Sequence, residues 1–398
     1  MRTRSLAKIA VIGVVGAIAL SACSNKKTTS SGLNGGSSSG NTANSNKTYK
    51  IAFQGPLSGD NQQLGINEVN AVEVAVDQAN QKGDLGFKLE LFKSDDVGLP
   101  DKAPAAAAAI LQDNSIVGVI GPSFSGATKA VGKTYADAGM AVISPSATNG
   151  TLTSLGFTTF HRVVPPDSVE GQQAADWLAK KAKKVFVVDD LSDYGKGVGD
   201  DVQKELKAKG VTTVRQGVDA KTTDYGAISQ TVKSSGAQAL FYGGYDAQAA
   251  LFARALKSVG YTGITVTGNG GKSSVFTKGS GDAGNGWYFS CGCLDATVAP
   301  EAKDFETAYK AKFKTPSSTY SPEAYDAANA MVSVIKGLAS KGDVTRKAVE
   351  DGVNSLDYKG ITTTIKFETN GEVQQQVINL YQQKNGVIGL LGDIKSQT

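Results

Sequence analysis

The sequence predicts an α/β fold made of two domains of one kind, each a parallel sheet with helices on both faces. Three observations carry this expectation. The chain has 398 residues, of which 40% are hydrophobic and 20% charged, an ordinary globular composition with enough apolar material for two cores. From Lys50 onward, short apolar runs alternate with stretches of helical period, and that alternation implies parallel strands joined by crossover helices. A second series of the same kind starts near Asp167, after the first is complete.

In the first series, KIAFQ from Lys50 to Gln54 reads as a buried strand. Ile66, Val69, Val72, Val76 and Ala79 then share one face of a helix ending near Asn80. The strand KLELF at Lys88, the helix DKAPAAAAAILQD, the strand IVGVIG ending at Gly121, a helix after Gly126 and the strand MAVIS ending at Ser144 continue the pattern. The second series runs as a helix from Asp167 to Lys181, the strand KVFVV, a helix from Lys196, VTTV, a helix from Tyr225, ALFY, a helix from Ala247 and ITVT. Helices follow at Glu301 to Phe313, Pro322 to Ser340 and Thr345 to Asn354, then strands near Thr362 to Phe367 and Val377 to Tyr381. These two strands have no complete sheet of their own, so they are expected to finish sheets begun earlier.

The start of the chain reads as an address. A basic opening, MRTRSLAK, precedes about 12 apolar residues, too few to span a bilayer as an anchor. Leu20-Ser21-Ala22-Cys23 resembles a bacterial lipobox, so residues 1–22 are expected to be a lipoprotein signal peptide and Cys23 the lipidated residue. From Ser24 to Thr48 the chain is almost wholly Ser, Gly, Asn, Thr and Lys, a flexible tether with a root-mean-square reach of about 25 to 30 Å. Residues 23–48 are thus a lipidated leash. A simple signal with an incidental cysteine is the plain alternative.

Composition excludes several functions. Forty-one basic against 37 acidic residues gives +4. Without Arg2, Arg4 and Lys8 the balance is 38 to 37, and without Lys26, Lys27 and Lys47 it is 35 to 37, far from the basic footprint of a nucleic-acid binder. One histidine, His161, and three cysteines cannot build a His-based metal site or a four-thiolate cluster. No metal or cofactor is therefore expected. Gly271-Lys272-Ser273 ends like a phosphate loop, but Val266 stands where its first glycine belongs. Gly55 and Gly59 do not fit a dinucleotide fingerprint, and no G-x-S-x-G elbow sits near a strand end. His161, between Phe160 and Arg162 in a strand-like run, reads as structural, so an enzyme is not expected.

Open parallel sheets bind ligands beyond the carboxyl ends of their strands. The segments there are GPLSGD, GPSFSGAT, SPSATN, DDLSDYG, GGYDAQ and GNGG, all rich in small, hydroxyl or amide residues. With SPEAYDAANA, and in this order behind a lipobox, they resemble the branched-chain amino-acid (leucine/isoleucine/valine-type) binding-protein family, the type I periplasmic receptors of ABC importers. The resemblance covers Thr48 to the end of the sequence. It implies two Rossmann-like lobes joined by three crossovers and closing over an amino acid, here with bounds 49–165 plus 297–372 for lobe one and 166–296 plus 373–398 for lobe two.

The resemblance also implies a site. Ser125, at the start of the helix after the third strand, would bind the ligand carboxylate, as the free N–H groups and positive dipole end of a helix also would. An N-cap serine is the alternative. In SPSATN the ligand contacts fall on Ser146, Ala147 and Thr148, and the Thr148 hydroxyl can serve both charges of a zwitterion. Tyr194 and Tyr245 match aromatic positions that cover the ligand from lobe two, or are packing tyrosines. Where the family commonly has an acid for the ammonium, this chain has Asn269, so either another acid such as Asp246 compensates or the ligand is not an ordinary α-amino acid. An Asn269→Asp change is expected to tighten a zwitterion. Leu64 replaces an aromatic in the side-chain pocket.

Cys291 and Cys293 follow the strand GWYFS close to the implied second crossover. In an exported chain they are expected to form a strained disulfide that contacts no ligand, with two small buried thiols as the alternative. The implied protein is a monomeric, lipid-anchored, extracytoplasmic receptor whose partners are a small molecule, an ABC permease and ATPase complex, and the membrane through Cys23. A tethered ligand sensor with the same cleft is the competing function.

Overall fold

The computed structural model describes residues 47–342 and 344–397. The signal peptide, Cys23 and the tether up to residue 46 lie outside the described residues. The first sheet contains β1 (Thr48–Gly55), β2 (Lys88–Asp95), β3 (Ile116–Ile120), β4 (Ala141–Ser144) and β5 (Phe160–Arg162), in the order β2-β1-β3-β4-β5 with parallel pairing throughout. Its crossovers include α1 (Gln62–Gln81), α2 (Ala103–Gln112) and α3 (Ser125–Asp137). Side chains alternate across a strand, so β1 sends Ile51 and Phe53 into one core with Val72 and Val76, and Ala52 into another with Ala107 and Val131. Burial on both faces is why these strands read as continuous apolar runs.

The second sheet repeats the plan. Helix α4 (Asp167–Ala179) leads to β6 (Lys184–Asp189), then α5 (Asp193–Ala208), β7 (Thr212–Gly217), α6 (Gly226–Ser234), β8 (Ala239–Gly243), α7 (Asp246–Ser258), β9 (Ile264–Thr267), α8 (Ser274–Ser280) and β10 (Tyr288–Cys291). In β6, Val185 and Val187 pack with Leu178, Val198 and Val202, whereas Phe186 and Val188 pack with Val232, Phe252 and Leu256. Helices α9 (Lys303–Phe313), α10 (Ser321–Ala339) and α11 (Arg346–Asn354) then return to the first sheet, where Phe305, Met331, Ile335, Val349 and Val353 join the core of Ile51. Gly118 in β3 permits that contact, because a Cβ there would lie 2.6 Å from Met331 Sδ.

The late strands differ from expectation. The strand placed near Thr362 to Phe367 does not complete a larger sheet: β12 (Thr364–Lys366) pairs with β11 (Asp357–Lys359) in a separate two-stranded sheet. The buried Asp326 carboxylate fixes this turn by accepting from Ile361 N–H at 2.9 Å and from Thr362 N–H at 2.7 Å. The last pair, β13 (Asn379–Lys384) and β14 (Val387–Asp393), extends the second sheet antiparallel to β10, giving the order β14-β13-β10-β9-β8-β6-β7. The chain thus passes between the two sheet bodies three times, after β5, after β10 and after β12.

Two helix starts also differ. α5 begins at Asp193, three residues before the expected Lys196, because Ser192 Oγ accepts from Gly195 N–H at 2.9 Å and caps it. α3 begins at Ser125, ahead of Gly126. α8 was not anticipated; the Ser273 hydroxyl caps it, accepting from Val275 and Phe276 N–H.

Candidate ligand-binding site

The loops that follow β3 and β4 of the first sheet meet the loops that follow β6 and β8 of the second, and the line where they meet is the cleft. From the first body, β3 runs through Gly121, whose φ of +113° and a Cβ position only 2.1 Å from Gln54 O exclude a side chain. This turn delivers Ser123, Phe124 and Ser125. Phe124 is the N-cap residue, so the N-cap alternative for Ser125 is replaced: Ser125 is the first helical residue, 2% exposed, and its Oγ accepts from Asn149 N–H at 3.1 Å. That bond ties the loop after β3 to the loop after β4.

The loop after β4 is held from behind. Ser146 donates its hydroxyl to Ser123 O at 2.7 Å, and Ala147 N–H donates to Ser144 Oγ at 3.0 Å. The Ala147 carbonyl accepts from Arg162 Nη1 at 3.0 Å, as does the Asn149 carbonyl at 2.8 Å, while Nε of the same guanidinium donates to Glu372 Oε2 at 2.8 Å. The Ser146 hydroxyl and Ala147 carbonyl are therefore engaged by neighbouring segments of the first body, the loop after β3 and strand β5. Thr148 is different: its carbonyl accepts from Asp167 N–H at 2.7 Å, and its buried Oγ1 stands against the Asp167 carboxyl, whose charge it favours. Leu64 is buried near the start of α1 at 1% exposure.

From the second body, Tyr194 and Tyr245 stand at the N-termini of α5 and α7. Tyr194 is buried and its hydroxyl accepts from Gly270 N–H at 3.0 Å. Tyr245 is half-buried, its ring 5.3 Å from that of Tyr194 and stacked on Phe124 at 4.3 Å with an interplanar angle of 17°. The Phe124 stack crosses the cleft. So do the bond from Asn149 Nδ2 to Asp193 O at 2.6 Å and the ion pair of Lys129 with Asp193 at 2.7 Å. Sequence reasoning named Ser125 and passed over its neighbour Phe124, although an aromatic amid GPSFSGAT is the one bulky residue of that loop.

Asn269 is not free to serve a ligand in the way expected. Its N–H donates to Glu170 Oε1 at 3.1 Å and its side-chain amide donates to Glu170 Oε2. The acid beside it is thus Glu170, from the first turn of α4, and not Asp246. Asp246 accepts from the Ser273 hydroxyl at 2.5 Å and from Ala247 N–H at 2.9 Å, at the junction of α7 and α8. Burial raises its carboxyl to about 6. Glu170, Asp167, Glu68 and Glu323 are the acids that converge: all four disfavour ionisation of the buried Tyr320 hydroxyl, after burial itself. Burial pushes Glu68 and Glu323 up to about 8 and Glu170 to about 7, and drives Asp167 well above its ordinary range.

His161 is structural. Its ring nitrogens lie 3.3 Å from Val142 O and 3.1 Å from Asn354 Oδ1, the ring packs on Phe367, and burial lowers its pKa. Among the described residues no group of His, Cys, Asp and Glu is placed to hold a metal. Cys291 and Cys293 are joined by a disulfide with Cα atoms 5.1 Å apart, and Cys293 O accepts from the Tyr381 hydroxyl at 2.7 Å.

The fold recurs among known proteins. The model of the periplasmic binding protein family matches residues 48–387. The Leu/Ile/Val-binding protein BraC3 of Rhizobium johnstonii is 31% identical over 85% of this chain and 92% of its own. The leucine-, isoleucine-, valine-, threonine- and alanine-binding protein of Pseudomonas aeruginosa is 28% identical over 84% of this chain and 90% of its own. Among solved structures, the branched-chain amino acid transporter substrate binding protein LivJ from Streptococcus pneumoniae, in complex with isoleucine, superposes with a TM-score of 0.79 at 25% identity, covering 87% of this chain and all (100%) of that one.

Proposed function

Because the chain belongs to the periplasmic binding protein family, we propose that it is the ligand receptor of an ABC importer, capturing a branched-chain or related amino acid between two closing lobes. The observation that carries this reading is the set of contacts across the cleft: Phe124 on Tyr245, and Asn149 and Lys129 on Asp193, surround Ser125, Thr148 and Tyr194. A ligand that touches both bodies favours the state in which these contacts form, since it binds that state better than the open one. The first turn of α3, with Ser125, offers N–H groups and a positive dipole end to a carboxylate. The buried Thr148 hydroxyl, beside the Asp167 carboxyl, can donate to a ligand carboxylate or accept from its ammonium.

In this reading the lobes have the bounds 49–165 plus 297–372 and 166–296 plus 373–398. Ser125, Ser146, Ala147 and Thr148 face the ligand from lobe one, Tyr194, Tyr245 and the Asn269 loop from lobe two, and Leu64 borders the side-chain pocket. The disulfide of Cys291 and Cys293 stiffens the second crossover. The protein works as a monomer outside the cell membrane, tethered by a lipid on Cys23, and hands its ligand to a permease with its ATPase. Titration calorimetry of the mature protein with leucine, isoleucine, valine, threonine and alanine tests the reading. Saturable one-to-one binding of at least one of them is expected, and no binding of any refutes it.

A further inference from the structure

The first turn of α4 carries two acids three residues apart, which places them on one helix face. Asp167 and Glu170 are 0% and 1% exposed. Among the described residues no salt bridge reaches either of them. The two buried cations nearby are committed elsewhere. Arg162 holds Glu372 and the carbonyls of Ala147 and Asn149. Lys272 gives Nζ to Thr319 Oγ1 at 3.2 Å and lies 4.2 Å from the Tyr381 ring.

Glu170 is held firmly by neutral donors. Oε1 accepts from Asn269 N–H at 3.1 Å and from the Ser290 hydroxyl at 2.8 Å, and Oε2 accepts from the Asn269 amide. A carboxylate has about four lone-pair sites, so these three donors leave one on Oε2. Hydrogen bonds from neutral donors offset part of the cost of ionising a buried carboxylate, and a cation beside it would offset far more. Beside it lie the buried Asp167 carboxyl with the Thr148 hydroxyl against it and the buried Tyr320 hydroxyl, and neither hydroxyl completes a hydrogen bond of good geometry with another protein group.

We propose that Glu170 receives the ammonium group of the amino-acid ligand, held in aim by Asn269 and Ser290, so that the negative charge of the site comes from α4 and not from the loop after β9. The inference rests on the amino-acid reading above. It removes the objection that a neutral Asn269 raises against an α-amino acid, and makes a free amine the feature that the site selects.

Binding is then coupled to a proton. The groups facing Glu170 are Asp167 on its own helix, Tyr194 from α5, Asn269 and Gly270 from the loop after β9, Ser290 from β10 and Tyr320 at the start of α10, with Arg162 and Asp201 beyond Asp167. Burial raises the Glu170 carboxyl to about 7, so it is partly protonated near neutral pH. An arriving ammonium favours the ionised form, so binding releases protons.

The experiment is calorimetry with leucine and with its amine-free analogue 4-methylpentanoate, on the wild-type protein and on Glu170→Gln. The variant should lose about 10- to 150-fold in leucine affinity, as expected for a lost hydrogen bond to a charged group, while its affinity for 4-methylpentanoate changes little. In the wild type at pH 7, heats of leucine binding measured in phosphate and in Tris should differ in the sense of proton release; this arm stands even if the variant folds poorly. Equal losses for both ligands, or unchanged leucine affinity without proton release, would overturn the assignment. A wild-type protein that binds no amino acid would instead remove the reading on which the assignment rests.

Discussion

Removal of the ring that bridges the cleft is the most direct probe of closure. Phe124 belongs to the first body and Tyr245 to the second, and their stack at 4.3 Å and 17° exists only when the two approach. An aromatic pair of this geometry contributes about 0.5–1.5 kcal/mol beyond the area it buries. If the ligand binds the closed state, loss of the stack depletes that state, and the coupling between the two residues should appear in the dissociation constant as a factor of about 2 to 13. The assay is a double-mutant cycle in ligand affinity with Phe124→Ala, Tyr245→Ala and the double variant, since each single change also alters packing within its own body. Tyr245→Phe, which keeps the ring, should bind nearly as the wild type does. Strict additivity of the two alanine changes, or equal damage from Tyr245→Phe and Tyr245→Ala, would falsify the closure model.

Three further expectations follow from the same geometry. Asn269→Asp sets a second carboxylate against Glu170, so like-charge repulsion should raise the Glu170 pKa further and weaken leucine binding, the reverse of the tightening expected from sequence; tightening in calorimetry would show that residue 269 faces the amine after all. Glu68 is an acid whose folded pKa, about 8, exceeds its unfolded value of 4.5, so its contribution to stability is full below pH 4.5 and is lost as the pH rises to about 8. The melting temperature should therefore fall less between pH 5 and pH 8 in Glu68→Gln than in the wild type, and parallel profiles would sink the idea. Gly121→Ala forces a side chain onto Gln54 O at a φ of +113° and should cost about 1–3 kcal/mol in urea unfolding, with loss of ligand binding as the Ser125 loop shifts; an unchanged midpoint would contradict the strain.

What the sequence made legible, and what it hid, has a physical basis. Buried strands such as β3 and β6 stand out because both faces are covered, so the run from Val185 to Val188 in β6, like all of β3, is apolar or small. β14 did not stand out, because an edge strand with Val387, Leu390 and Leu391 exposed carries no alternation to read. The seven residues of α8 are too few to show a helical period. Ser125, Thr148, Tyr194 and Tyr245 were singled out by the family resemblance, within short segments that follow strands. Glu170 was not, since an acid in the first turn of a helix already has a local explanation in the helix dipole. Its partner Asn269 is 99 residues away, a distance at which no spacing rule operates.

The guanidinium of Arg162 also bears on when the cleft can take shape. It fixes the carbonyls of Ala147 and Asn149, and its own anchor, Glu372, is 210 residues later. A chain emerging from the ribosome or the export channel can thus form its first strands early, yet the loop that carries Thr148 keeps an unanchored arginine behind it until residue 372 arrives. Strand β13 imposes the same wait on the second sheet, because β10 has no neighbour on that side before Asn379 appears. The order of synthesis therefore builds the framework first and the binding surface last, so a chain cut short before Glu372 would leave that surface unfinished.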